Sequence, residues 1–144
     1  MGGIPLTPLL LDTHAFVWLL SGNERLGKRS RKAIQTAAEA GMLHLSAISP
    51  WEIAVLVSKG RLLLEQDVGE WIQTALALPG ISLAQLSPEI AVASTRLPGE
   101  IHADPADRII VATARHLGAT LVTADGLLLA YGTAGHMKFL DAQK

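Results

Sequence analysis

The sequence predicts an α/β fold in which a parallel sheet is covered by helices on both faces, with more helix than strand. Two observations carry this. Short apolar runs alternate along the chain with helical segments, and the runs are continuous rather than alternating, the pattern of strands buried on both faces. Each run also stops at a polar residue that opens a helix or turn. Residues 9–11 (Leu-Leu-Leu) form the first strand and end at Asp12. Helices follow over 13–20, with Thr13 as expected N-cap, and over 28–40. The second strand, 43–45, stops at Ser46, and a helix over 50–59 begins with Pro at its first position. A helix over 68–76, a weaker strand at 81–83 and helices over 88–96 and 105–117 come next. The β-branched stretch 120–123 lies between Gly118 and Asp125 and reads as a strand, followed by a short helix over 126–131. Residues 137–140, after Gly132 and Gly135, make a plausible last strand.

At 144 residues the chain has the length of one domain, and nothing in it marks a boundary: there is no repeat, low-complexity tract or Pro/Ser linker. We therefore expect a single domain over 1–144 with a short N-terminal tail over 1–8. A hydrophobic fraction of 49%, a charged fraction of 17% and a mean hydropathy of +0.33 exclude intrinsic disorder. With 12 Lys plus Arg against 13 Asp plus Glu, the net charge of -1 excludes a protein that finds nucleic acid by global positive charge. The chain has no cysteine, so a disulfide framework, a thiolate zinc site and a Cys nucleophile are all excluded. A reducing cytoplasm fits. The longest apolar stretches are far shorter than the ~20 residues of a membrane helix, and the first residues lack a basic leader. These features point to a soluble cytoplasmic protein with no membrane association. So apolar a small domain is expected to bury part of its surface against another chain.

In open parallel sheets the ligand site lies outside the carboxyl ends of the strands. Five acids fall at that edge: Asp12 after the first strand, Glu52 in the first turn after the second, Asp104 and Asp107 at the start of 105–117, and Asp125 after 120–123. The other eight acids fall in loops or late in elements and read as surface. Helix capping competes with function for these five. Ser49-Pro50-Trp51-Glu52 has the form of a capping box, Asp104-Pro105-Ala106-Asp107 repeats it, and Asp125 could cap the helix after it. Asp12, with Thr13 beside it as the better cap, has no structural duty the sequence reveals. Four carboxylates gathered in one place would repel and raise one another's pKa unless a cation sat among them. With no Cys and no paired His, a hard ion suits them: Mg²⁺ first, Mn²⁺ second. Such an ion favours phosphoryl chemistry, in which it polarises the phosphate and activates a water, with a carboxylate as general base.

The same residues resemble the PIN domain family, and within it the VapC-type ribonuclease toxins of toxin–antitoxin pairs. The likeness rests on 10–18 (LLDTHAFVW), on 45–54 (LSAISPWEIA) with 59–62 (KGRL) after it, on 102–108 (HADPADR) and on 121–125 (LVTAD). The resemblance implies a twisted parallel sheet of about five strands, Mg²⁺-dependent cleavage of RNA phosphodiesters, a homodimer and inhibition by a cognate antitoxin. No nucleotide cofactor is implied. Residue by residue it makes Asp12, Glu52, Asp107 and Asp125 both the catalytic acids and the metal ligands. Asp107 is preferred over Asp104 because Ala-Asp before an apolar helix face matches the family better, leaving Asp104 as cap or support. Thr13, Ser46 and Thr123 match the family's small hydroxyl positions, although capping explains each equally well.

Arg25, Lys28 and Arg29, part of a basic run over 25–32, and Arg108 beside Asp107 are candidate RNA phosphate contacts. A solvated helix face is the plainer explanation of the run. His14, His102 and His136 lack metal-ligand spacing and read as ordinary polar residues, with His102 the one expected nearest the site, while Trp18, Trp51 and Trp71 read as core or interface. Three other readings remain. A haloacid-dehalogenase-like phosphatase would use Asp12 as nucleophile but expects Asp where the chain has His14. A receiver-like domain using Lys138 needs a phosphoacceptor that 43–46 does not supply. A PIN-fold module could bind RNA or a partner without catalysis.

Overall fold

The computed structural model describes residues 7–144, so of the expected tail only Thr7 and Pro8 are included. Five strands, β1 Leu9–Leu11, β2 Leu43–Ser46, β3 Ile81–Ala84, β4 Thr120–Thr123 and β5 Phe139–Asp141, form one sheet in the order β3-β2-β1-β4-β5. Every neighbouring pair is parallel, with Leu10 opposite both His44 and Leu121. The helices are α1 Thr13–Ser21, α2 Lys28–Glu39, α3 Ser49–Ser58, α4 Val68–Leu76, α5 Pro88–Ala93, α6 Pro105–Leu117 and α7 Gly126–Thr133. Among the described residues no helix is long and apolar enough to cross a membrane.

The triple leucine of β1 shows why a continuous apolar run was the right signal. Successive side chains of a strand point to opposite faces. Leu9 and Leu11 join Phe16, Leu26, Ile34, Leu43, Leu45 and Ile53 in a core beneath α1 to α4. Leu10 joins Ile110, Val111, Ala114, Leu121, Leu128 and Tyr131 beneath α6 and α7. Leu10, Leu11, Leu45 and Leu121 have no exposed surface, and each contributes about 1.5–3 kcal/mol by burial.

Element existence follows the sequence expectation throughout, and the differences lie at the ends. The last strand falls at Phe139–Asp141 rather than 137–140, because the Lys138 carbonyl already accepts from Leu121 N at 3.1 Å and pairing proper starts at Phe139. Helix α7 runs on to Thr133, through Gly132, whose missing side chain leaves the room occupied by the Phe139 ring. Helix α5 is shorter than expected, stopping at Ala93.

The strand order matters for the site. The chain adds β2 and β3 on one side of β1, then crosses over to add β4 and β5 on the other. The switch in direction falls between the carboxyl ends of β1 and β4, the position where such sheets bind ligands.

Candidate active site

Asp12 sits at that switch point. Its backbone N–H continues the ladder to Val122 O at 2.9 Å, and its side chain is 6% exposed. Thr13 N–H donates to Oδ1 at 2.8 Å and the Thr123 hydroxyl to Oδ2 at 2.7 Å. Asp12 is itself the N-cap of α1, which corrects the expectation that Thr13 caps and that Asp12 has no structural duty. Burial pushes its pKa up, the Thr123 and Thr13 hydrogen bonds oppose this, and the charge of Asp125 adds to the rise.

Glu52 lies in the first turn of α3, but the capping box expected with Ser49 does not form. The helix starts one residue earlier, at Ser49, after an Ile48 N-cap that makes no side-chain hydrogen bond. Glu52 instead accepts the Thr13 hydroxyl on Oε1 at 2.6 Å. Since that spends Thr13's only hydroxyl proton, the Ser49 hydroxyl 2.9 Å away donates to Thr13 in turn. Burial raises the Glu52 pKa to about 7, with the Thr13 bond resisting and the charges of Asp12, Asp107 and Asp104 adding. Ser46 is buried but serves the turn into α3, accepting from Ile48 N at 3.2 Å.

At the start of α6, Asp104 is the exposed N-cap and accepts Asp107 N–H at 2.9 Å, as its cap reading predicts. Asp107 is half-buried, and its Oδ2 lies 2.6 Å from His102 Nε2. Its pKa is raised by burial, lowered by His102, and raised again by Asp12, Asp104 and Asp125. Asp125 caps α7, its Oδ1 accepting from Leu127 N at 2.8 Å and Leu128 N at 3.1 Å. The Thr123 hydroxyl that donates to Asp12 also accepts Asp125 N–H at 3.1 Å, so one side chain ties the two acids together.

Asp12, Glu52, Asp107 and Asp125 thus share the carboxyl edge, near enough for their charges to act on one another. Glu52, Asp107 and Asp125 each have one oxygen fixed by a protein donor and the other without one among the described residues. Among those residues no three His, Asp or Glu side chains stand close enough to hold a metal ion as they are placed. The donor set nonetheless fits a hard dication: it is all oxygen, it is mutually repulsive, and it retains free lone pairs.

The basic residues behave differently from the acids. Arg108 directs Nε to His102 O and Nη2 to Ile101 O, each at 3.0 Å. Arg31 likewise holds Leu26 O at 3.0 Å and Asn23 O at 2.6 Å. Arg25 lies 6.0 Å over the Trp18 ring, a cation–π distance. Lys28 and Arg29 are exposed in the first turn of α2. Trp18 and Trp71 pack on the core as expected, whereas Trp51, beside Glu52, is 58% exposed.

The pattern characteristic of the PIN domain matches residues 9–132, a stretch that contains all four acids. The chain belongs to the PIN-domain family. Ribonuclease VapC22 of Mycobacterium tuberculosis (strain ATCC 25618 / H37Rv) is 35% identical over 120 residues, covering 83% of this chain and 88% of that protein. Among solved structures, VapBC2 of Rickettsia felis bound to a DNA fragment from its promoter superposes with a TM-score of 0.67 at 17% identity, covering 92% of this chain and 96% of the other. DNA-bound VapBC of Salmonella typhimurium gives 0.67 at 14% identity, covering 94% and 98%. These two establish likeness of fold. For this PIN domain the phosphatase and receiver alternatives fall away. His102 lies near the site, as the sequence led us to expect, but its pairing with Asp107 was not foreseen: it lies five positions before Asp107 and outside the helix, so no periodicity pairs them, and only the conformation of the loop brings them together.

Proposed function

We propose that this PIN domain is a Mg²⁺-dependent endoribonuclease, the toxin of a VapBC-type toxin–antitoxin pair, hydrolysing RNA phosphodiester bonds at Asp12, Glu52, Asp107 and Asp125. The observation that carries the reading is the electrostatic grouping of these four side chains at the sheet's switch point, three of them with an unengaged oxygen. The likeness to a protein named as a VapC ribonuclease supports it. Asp12, Asp107, Asp125 and Glu52 would hold the ion. When bound, Mg²⁺ supplies charge neutralisation and Lewis acidity at the scissile phosphate.

The chain's own residues supply the rest. Thr123 and Thr13 orient Asp12, leaving it little freedom to swing away from the site. The Ser49–Thr13 relay fixes Glu52 Oε1 and leaves Oε2 to take or give a proton. In the metal-free chain burial and the neighbouring acids raise its pKa to about 7, and a cation held among the same acids would oppose that rise. Asp104 contributes the helix start that positions Asp107. Arg25, Lys28 and Arg29 are the exposed candidates for phosphates farther along the strand, while Arg108 keeps the 101–107 loop in shape.

The partners proposed are an RNA substrate, a cognate antitoxin and a second copy of the chain, in the cytoplasm. An anionic site of this kind is complementary to a basic side chain, the feature an inhibiting protein would offer. The direct test is cleavage of a labelled structured RNA by purified protein in Mg²⁺, in EDTA and with Asp12→Asn. Cleavage in Mg²⁺ alone, lost in the variant, is expected. Full metal-independent activity in Asp12→Asn would overturn the reading.

A further inference from the structure

The segment from Ile101 to Arg108 forms a closed set of hydrogen bonds around Asp107. Arg108 N–H reaches back to Asp104 O at 3.1 Å, Asp104 Oδ1 accepts Asp107 N–H, and the Arg108 guanidinium grips the carbonyls of Ile101 and His102. The planar fork of an arginine, with two donors engaged, fixes the orientation of both peptides more firmly than a lysine could. Their geometry determines where the His102 ring goes. It goes to Asp107, whose Oδ2 accepts from Nε2–H at 2.6 Å, with the two side chains 23% and 18% exposed. Among the described residues nothing else donates to the Asp107 carboxylate, so without His102 it would be free to rotate about its terminal bond. Repulsion from Asp12, Asp104 and Asp125 would then favour turning it toward solvent.

We propose that His102 is a positioning residue for the cation site: Nε2–H, held by Arg108's grip on the loop, fixes Asp107 Oδ2 and keeps Oδ1 free for the ion. The proposal rests on the metal-dependent reading above and extends it to a residue outside the four acids. Partners of this kind, which hold a ligand rather than the ion, typically change metal affinity about 10- to 100-fold when removed.

The experiment is a calorimetric titration of the purified full chain with MnCl₂ at pH 7.5, comparing wild type, His102→Ala and His102→Gln, with a thermal melt of each in EDTA. Glutamine places an N–H close to where Nε2–H lies, so it tests the donor rather than the ring. Manganese affinity about 10- to 100-fold weaker in His102→Ala, recovery to within a few-fold in His102→Gln, and unchanged melting in EDTA are expected. Wild-type affinity in His102→Ala overturns the positioning role and leaves the four-acid reading standing. Failure of His102→Gln to recover affinity, or a loss in His102→Ala matched by a fall in EDTA melting temperature, also overturns it. A wild-type protein that takes up no manganese overturns the metal reading itself.

Discussion

Replacing Glu52 by Gln is expected to stabilise the metal-free protein above neutral pH and to leave it unchanged near pH 5. In the folded chain burial lifts the Glu52 carboxyl from 4.5 to about 7, helped by Asp12, Asp107 and Asp104. A group whose folded pKa exceeds its unfolded value binds its proton more tightly when folded. The cost of ionising it in the fold therefore grows from pH 4.5 to about 7 and is complete above that. At about 1.4 kcal/mol per pH unit the full difference would be about 3.5 kcal/mol, and solvent screening at a half-buried site reduces it to about 1–2 kcal/mol. For a chain of this size that corresponds to roughly 3–6 °C in melting temperature. Glutamine keeps an Oε1 that accepts the Thr13 hydroxyl, so the 2.6 Å hydrogen bond survives the substitution. The assay is thermal unfolding in EDTA at pH 5 and pH 8. Glu52→Gln should melt about 3–6 °C above wild type at pH 8 and level with it at pH 5. Equal melting at pH 8, or a variant less stable at both, would show that the Glu52 carboxyl is not held in a buried place beside other negative charge.

Thr13→Val should destabilise the protein by about 1–3 kcal/mol, because Glu52 Oε1 and the Ser49 hydroxyl lose their shared partner in a buried place; denaturant titration measures this. Arg108→Ala should cost a similar amount by releasing the carbonyls of Ile101 and His102, and hydrogen exchange should show faster opening confined to 101–107. Gly132→Ala sets a methyl against the Phe139 ring and should cost about 1–3 kcal/mol in the same titration, relieved by the double change with Phe139→Leu.

The fold was legible where both faces of a strand are buried. β1 is three buried leucines, and Leu43 and Leu45 of β2 and Leu121 and Val122 of β4 are buried beside it, so short apolar runs mark these strands. β5 begins two residues later and ends one residue later than expected because this edge strand leaves Phe139 exposed and its other residues only partly buried, so its ends are weakly marked. Among the acids, position at the carboxyl edge was readable because strand-then-polar is a local pattern. The caps made by Asp104 and Asp125 were readable too, whereas the bonds of Asp12, Glu52 and Asp107 were not. Asp12 and Thr13 are both good caps, and only the extended conformation at Asp12 decides between them. Glu52 has the spacing of a capping box, yet its side chain turns to a hydroxyl 39 residues earlier. Arg108 carries a charge suited to phosphate and spends two of its donors on its own loop. At Glu52 a long-range contact won over the local pairing that sequence spacing favoured, and at Arg108 a loop contact took the place of a substrate contact.

A crystal grown with MnCl₂ and measured at the manganese absorption edge tests the central claim most directly. The account requires an anomalous peak beyond the carboxyl ends of β1 and β4, liganded by Asp12 together with carboxylates from among Glu52, Asp107 and Asp125, and absent from Asp12→Asn crystals. Manganese bound elsewhere, or a site that stays empty in well-ordered wild-type crystals at millimolar metal, would contradict it.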